Sequence, residues 1–160
     1  RVLAAVSSAE KAAFCTELGA DMSIDLSQQG LRDSLKAAQI SPDVIYDPVG
    51  GDLSEAAFRG IAWRGRHLVV GFAAGPIPSL PLNLTLLKGA SIVGVFWGDF
   101  ARREPKAFQQ GLAQLFDWYG KGAVKPAIDT RLPMTALPEA YERMASRRVH
   151  GKLLLVNHPL

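Results

Sequence analysis

The sequence predicts an α/β chain organised around a doubly wound parallel sheet, and three observations carry that prediction. Short apolar runs of strand length alternate with segments of helical periodicity along most of the 160 residues. Glycine- and proline-bearing turns mark the change from one to the other. The composition, 48% hydrophobic and 21% charged, supplies one compact core and shows no low-complexity tract.

The elements follow in order. Val2-Leu3-Ala4-Ala5-Val6 is a continuous apolar run, as expected of a strand buried on both faces of a parallel sheet. Ser7-Ser8-Ala9-Glu10 reads as a capping box, with the Ser7 hydroxyl and the Glu10 carboxylate satisfying helix-start amides. Phe14 and Leu18 share a face of the helix that follows, and Gly19 stops it. Met22 to Leu26 is a short strand, and Leu31, Leu35 and Ala38 share the next helix face. Asp43 to Asp47 is a buried strand bracketed by Pro42 and Pro48; Gly50-Gly51 turns the chain into a weak helix from Leu53 to Gly60. Arg66 to Gly71 is a fourth strand. Gly75 to Pro81 holds three prolines and must be an extended loop. Ala90 to Trp97 gives a fifth strand. Pro105 suits the first turn of a helix whose face is Phe108, Leu112, Leu115, Phe116 and Tyr119. A last helix carries Ala140, Tyr141 and Met144, and Lys152 to Val156 closes the chain as a strand. With no repeat and no linker, one domain is the simplest count.

Charge and cysteine usage narrow the function classes. Eighteen Lys and Arg against fifteen Asp and Glu leave a net charge of +3, and the densest basic groups are only the pairs Arg102-Arg103 and Arg147-Arg148. That is too diffuse for a nucleic-acid footprint, while a modest positive field suits an anionic cofactor. Cys15 is the single cysteine, which is compatible with a reducing, cytoplasmic setting and reads as an inert buried thiol. His67, His150 and His158 have no mutual metal spacing, and each reads as a structural or solvated histidine. Apolar stretches are too short for a membrane span, and no signal-peptide pattern opens the chain. An opening Arg1 points to an excised or trimmed chain, and Asn157-His158-Pro159-Leu160 reads as a natural terminus. Neither G-x-G-x-x-G nor a phosphate-binding G-x-x-x-x-G-K-[ST] occurs, and no Ser-His-Asp or paired-carboxylate arrangement stands out.

Ligands of open α/β sheets bind at the carboxyl ends of the strands, so the residues after each strand are the candidates. Ser7, Ser8 and Lys11 follow the first strand, where dinucleotide-binding folds that take NAD place an acid. Two hydroxyls and an ammonium favour an added phosphate, as in NADP; helix capping and a solvated lysine account for the same residues. Asp47, Val49 and Gly50 belong to the turn Asp47-Pro48-Val49-Gly50-Gly51, which either brings main chain close to a ligand or is simply tight. Gly71, Phe72 and Ala73 form a second glycine-framed loop after the fourth strand. Phe96, Trp97 and Gly98 follow the fifth, where two aromatics can flank a flat ring or serve the core.

Taken together, these segments resemble the zinc-independent quinone oxidoreductases of the medium-chain dehydrogenase/reductase (alcohol dehydrogenase) superfamily. The carriers are Val6 to Lys11, Leu18-Gly19-Ala20-Asp21, Asp43 to Gly51, Arg64 to Gly75, Lys88 to Gly98 and Gly151-Lys152, in that order and over nearly the whole chain. The resemblance implies a Rossmann-like cofactor domain of a metal-independent, NADPH-dependent reductase that passes hydride from nicotinamide to a quinone or to an alkene conjugated to a carbonyl. By analogy Ser7, Ser8 and Lys11 would hold the adenosine phosphate. The loops around Asp47, Val49 and Gly50 and around Gly71, Phe72 and Ala73 would meet ribose and nicotinamide, and Phe96, Trp97 and Gly98 would lie near the nicotinamide end. The superfamily commonly dimerises through edge strands, and Ser91 to Phe96 is the candidate.

Family members often carry a phosphate-holding tyrosine after the second strand, where this chain has Leu26, so the NADP(H) reading rests on Ser7, Ser8 and Lys11. They also begin this domain with a strand and a glycine-rich turn that this sequence does not contain, and they have a separate amino-terminal catalytic domain. The expected sheet is therefore incomplete, lacking the central strand and the helix start that would seat the pyrophosphate. No catalytic residue is named, and the chain alone is expected to be inactive. The alternative is a non-catalytic α/β domain that self-associates or binds a partner.

Overall fold

A computed structural model describes residues 1–147 and 149–157. Arg148 of the second arginine pair, together with His158, Pro159 and Leu160 of the expected terminus, lies outside the described residues. The backbone forms two compact units, Arg1–Phe100 and Ala101–Leu160.

The first unit alternates strand and helix as the sequence predicts: β1 (Leu3–Val6), α1 (Ala9–Glu17), β2 (Met22–Asp25), α2 (Leu31–Ala37), β3 (Val44–Asp47), α3 (Asp52–Gly60), β4 (Arg66–Val69), α4 (Asn83–Lys88) and β5 (Ser91–Gly94). Pairing is parallel throughout, in two separately hydrogen-bonded sheets, β1-β2 and β3-β4-β5. Facing residues include Leu3 with Met22, Ile45 with His67, and His67 with Ile92. Among the described residues β1 pairs only with β2 and β3 only with β4, which leaves each with one unpaired edge.

One core nevertheless serves both sheets. Ile24, Leu31, Leu35 and Ala57 are buried together, with Leu3 of β1, Met22 of β2 and Ile45 of β3 packed against them. A second cluster under the three-stranded sheet consists of Phe58, Ile61 and Leu84, again touched by Ile45. The helices α2 and α3 supply these buried faces because their apolar residues recur at three- and four-residue spacing. By contrast, α1 buries none of its residues. The Val2–Val6 run, expected to be buried on both faces, is only half-buried at Leu3, Ala4 and Val6 and exposed at Ala5.

Three local expectations need correction. The cap of α1 is Ser8, whose extended backbone lets its hydroxyl accept from Lys11 N at 3.3 Å. Helical conformation starts at Ala9, one residue later than a Ser7–Glu10 capping box requires, so Lys11 rather than Glu10 occupies the third helical position. The fifth strand stops at Gly94 rather than reaching Trp97. Its partner β4 already ends at Val69, the last rung is Val95 N to Val69 O at 2.9 Å, and Trp97 opens the helix α5 (Trp97–Arg103) instead. Between the proline loop and β5 lies the short helix α4, which the sequence reading passed over.

The second unit holds α6 (Pro105–Gly120), β6 (Ile128–Pro133), a 3-10 turn over Met134–Ala136, α7 (Leu137–Ala145) and β7 (Lys152–Val156). Pro105 starts α6 as its fixed φ and missing N–H favour, yet this helix buries none of its residues, the expected apolar face included. β6, also unread from sequence, pairs parallel with β7, making a compact strand–helix–strand unit. Asp129 ties it together: its carboxylate accepts from Thr130 Oγ1 at 2.6 Å, an Arg143 guanidinium nitrogen at 2.9 Å and His150 N at 3.0 Å. The Thr130 hydroxyl leads, followed by the His150 amide, in holding this carboxyl below its ordinary value against a smaller opposing effect of burial.

Candidate functional site

The structure gathers two of the four expected strand-end groups into one rim. The loops after β3 and β4 are laced together through the main chain. Val70 N and Gly71 N donate to Asp47 O at 2.9 and 3.3 Å, Ala73 N to Pro48 O at 3.1 Å, and Ala74 N to Val49 O at 2.8 Å. Gly51 N donates to Pro76 O at 3.2 Å, adding the start of the proline loop. Gly50 and Gly51 both take positive φ, +72° and +61°. At Gly50 an added Cβ would also stand 3.0 Å from the Phe72 ring and 3.3 Å from its Cα. At Gly71 a Cβ would stand 3.2 Å from Pro48 O. These glycines allow two loops to touch where side chains would hold them apart.

Asp47 organises the rim from below. It occupies the last position of β3 and is buried. One carboxylate oxygen, Oδ1, accepts from Val49 N at 3.0 Å and from Gly50 N at 2.9 Å, an Asx turn that sets the bend. The other, Oδ2, accepts from the Ser54 hydroxyl and lies 3.2 Å from His67 Nε2. A carboxylate can only accept, so the imidazole nitrogen donates. Burial pushes the Asp47 carboxyl up, but the Gly50 amide, the Ser54 hydroxyl, the Val49 amide and His67 together outweigh it, and its pKa ends below the ordinary 3.8. Both oxygens being engaged, the Asp47 side chain faces the protein, and the exposed residues Pro48 and Val49 form the outer surface.

Nothing local in the sequence assigns Ser54 a role, and His67 stands there as a lone histidine. Both are about 1% exposed. Ser54 lies in the first turn of α3, and His67 sits beside Ile45 in the parallel ladder, two residues before Asp47. The available signal was Asp47 at a strand end before a Gly-Gly turn, which demands donors for a buried carboxylate.

At the end of β1, the Lys11 ammonium donates to Ser7 Oγ at 3.3 Å, while Ser8 is committed to its cap. Ser7 is exposed and Lys11 half-buried, so a hydroxyl and an ammonium face outward together. This donor set has the chemistry of a phosphate contact. Its strand belongs to the other sheet, so no shared ladder joins it to the rim. Past β5, Phe96 is 77% exposed, Trp97 stacks at a tilt against Phe100 with centroids 5.6 Å apart, and Gly98 lies in the first turn of α5.

Among the described residues no group of three or more His, Cys, Asp or Glu side chains is placed to hold a metal ion, and no helix is long and apolar enough to cross a membrane.

Comparison with known proteins gives the frame for this geometry. The family model described as zinc-binding dehydrogenase matches residues 18–155. Quinone oxidoreductase-like protein 2 of Mus musculus is 34% identical over 157 residues, covering 97% of this chain and 45% of the mouse protein. The crystal structure of Pseudomonas syringae quinone oxidoreductase superposes with a TM-score of 0.81 at 26% identity, over 98% of this chain and 49% of that one. A mycobacterial structure complexed with NADPH gives a TM-score of 0.83 at 25% identity, over 98% of this chain and 48% of that one. The chain thus spans about half the length of the proteins it matches.

Proposed function

The chain belongs to the zinc-binding dehydrogenase family, and from that premise we propose that it is the cofactor-binding part of an NADPH-dependent oxidoreductase acting on a quinone or on an alkene conjugated to a carbonyl. The observation that carries this reading is the rim built by the β3 and β4 loops, where glycines bring main chain to the carboxyl end of adjacent parallel strands. The NADPH bound to the mycobacterial relative supports the choice of cofactor.

NADPH, when bound, supplies the hydride. The residues of this chain bind and orient it. Ser7, Ser8 and Lys11 carry the extra phosphate on the adenosine ribose, for which hydroxyls and an ammonium are suited and a carboxylate would be repulsive; the Ser8 hydroxyl accepts at the helix cap and still has its proton to donate. Main chain at Val49, Gly50, Gly71, Phe72 and Ala73 meets ribose and nicotinamide, and Phe96, Trp97 and Gly98 stand at the nicotinamide end.

The same reading places a further strand between β1 and β3, whose unpaired edges belong to sheets that share one core. Such a strand, with its glycine-rich turn, would come from outside these 160 residues and seat the pyrophosphate. It also places the protein in the cytoplasm and pairs two copies through β5. Among the described residues that strand bonds only to β4, and all four of its residues are exposed, including Ile92 and Val93. The exposed edge equally supports a second reading, a self-associating domain with no competent cofactor site.

Calorimetry with NADPH on this chain and on the full-length gene product separates the readings. Binding by the full-length protein alone supports the reductase and the need for the outside strand. If neither binds while both are folded, the self-association reading takes its place.

A further inference from the structure

We propose that Ser54 and His67 are positioning residues for cofactor binding: from within the core they hold the Asp47 carboxylate, and through it they set the Val49 and Gly50 amides and the rim those amides belong to. The proposal rests on the cofactor reading above.

Three elements converge on one carboxylate. Asp47 ends β3, Ser54 comes from the first turn of α3, and His67 comes from β4. Ser54 and His67 grip one oxygen from inside, while the other receives the two loop amides. The two oxygens of a carboxylate are rigidly coplanar, so fixing the first aims the second. The bend at Val49–Gly50 is thereby set by groups that never reach the surface. The β4 loop follows, since Ala74 N donates to Val49 O and Phe72 packs so closely on Gly50 that a Cβ there would stand 3.0 Å from its ring.

His67 is itself oriented. Its ring meets Phe58 edge-on at a centroid distance of 5.6 Å, and Phe58 is fully buried. Nδ1 is buried without a hydrogen-bond partner among the described residues, so the bond to Asp47 is the one polar interaction the structure gives this side chain. A buried imidazole with an orphaned nitrogen is a costly way to fill a core. A carboxylate that needs a donor from β4 accounts for its presence.

The test uses the full-length protein with Ser54→Ala, His67→Leu and His67→Gln, the last keeping an N–H donor. Two quantities are read: hydrogen exchange of the Val49 and Gly50 amides without cofactor, and the Kd for NADPH by calorimetry. Ser54→Ala and His67→Leu are expected to speed exchange of those amides about tenfold and weaken NADPH about tenfold, the scale of one lost bond to a charged group. His67→Gln should restore most of both. Ser54→Ala removes a single oxygen and carries the test if His67→Leu does not fold. Unchanged exchange in both disruptive variants overturns the proposal, as does faster exchange with an unchanged Kd. A wild-type protein with protected amides that binds no NADPH overturns the cofactor reading instead.

Discussion

In the proposed reading, the rim at the ends of β3 and β4 and the outward group at the end of β1 serve one need, contact with an anionic dinucleotide, in opposite ways. At the rim, charge is hidden: Asp47 is buried, and the uncharged residues Pro48 and Val49 are the exposed ones. At β1, charge is presented, since Lys11 and Ser7 meet each other at 3.3 Å and face outward together. The first arrangement fixes shape before any ligand arrives and recognises whatever fits it. The second supplies an electrostatic preference, is adjustable, and is screened by salt. On that proposal, preorganisation goes with the parts that nicotinamide cofactors share, and presented charge with the phosphate that distinguishes them.

The strongest way to break the rim is from beneath. Phe58 is fully buried, anchors the cluster with Ile61 and Leu84, and stands edge-on to His67. Phe58→Ala should cost about 3–5 kcal/mol, through lost burial and the cavity left behind. Urea unfolding followed by circular dichroism measures it. A loss below about 1 kcal/mol would mean that the core under the rim is not a packed unit.

Asp47→Asn removes the charge while nearly preserving shape. It should cost about 2 kcal/mol at neutral pH, because two core donors and two amides lose a charged acceptor. The difference between wild type and variant should also depend on pH. The folded pKa of Asp47 lies below the ordinary 3.8, so its stabilisation is complete above that value and disappears as the pH falls through the folded one. Stability curves should therefore run parallel at neutral pH and converge in acid. Asp21 and Asp129 are lowered too, so both proteins will lose stability in acid, and only their difference reports Asp47. Curves that stay parallel down to about pH 2 would show that the carboxylate is not held in its ionised form.

Much of the fold was legible because its signals are local. The Val44–Asp47 strand announced itself by an apolar run between prolines, and α6 by Pro105 and a spaced apolar stripe. What failed was fixed by distance in space. The apolar sequence from Ala90 runs on to Trp97, but β5 ends at Gly94 because its neighbour β4 ends at Val69, and nothing inside the run records that. The site divides the same way. The glycine loops were visible as turns, whereas Ser54 and His67 join Asp47 from seven and twenty residues away. A serine in a helix and a histidine in a strand carry no local sign of such a bond. The α1 cap slipped by one residue because Ser7 and Ser8 are equally good candidates, and only backbone geometry chooses Ser8. Ser8→Ala should accordingly cost about 1 kcal/mol of stability. A Ser7→Ala loss as large would reverse the assignment.

The smallest expected effect on stability is the most informative about the comparison. Lys11 meets Ser7 at the surface, and Lys11→Ala should change the unfolding free energy by no more than about 0.5 kcal/mol. In the full-length protein the same variant should weaken NADPH about tenfold while leaving NADH nearly unchanged, the scale of one charge-assisted contact to phosphate. Added salt should shrink that difference. Ser54→Ala should behave inversely, weakening both cofactors alike and doing so at every salt concentration, because it acts on shape. Paired titrations of the two variants with NADPH and NADH measure both contrasts. If Lys11→Ala weakens the two cofactors equally, the ammonium does not read the phosphate. The preference would then have to rest on Ser7 or on other groups.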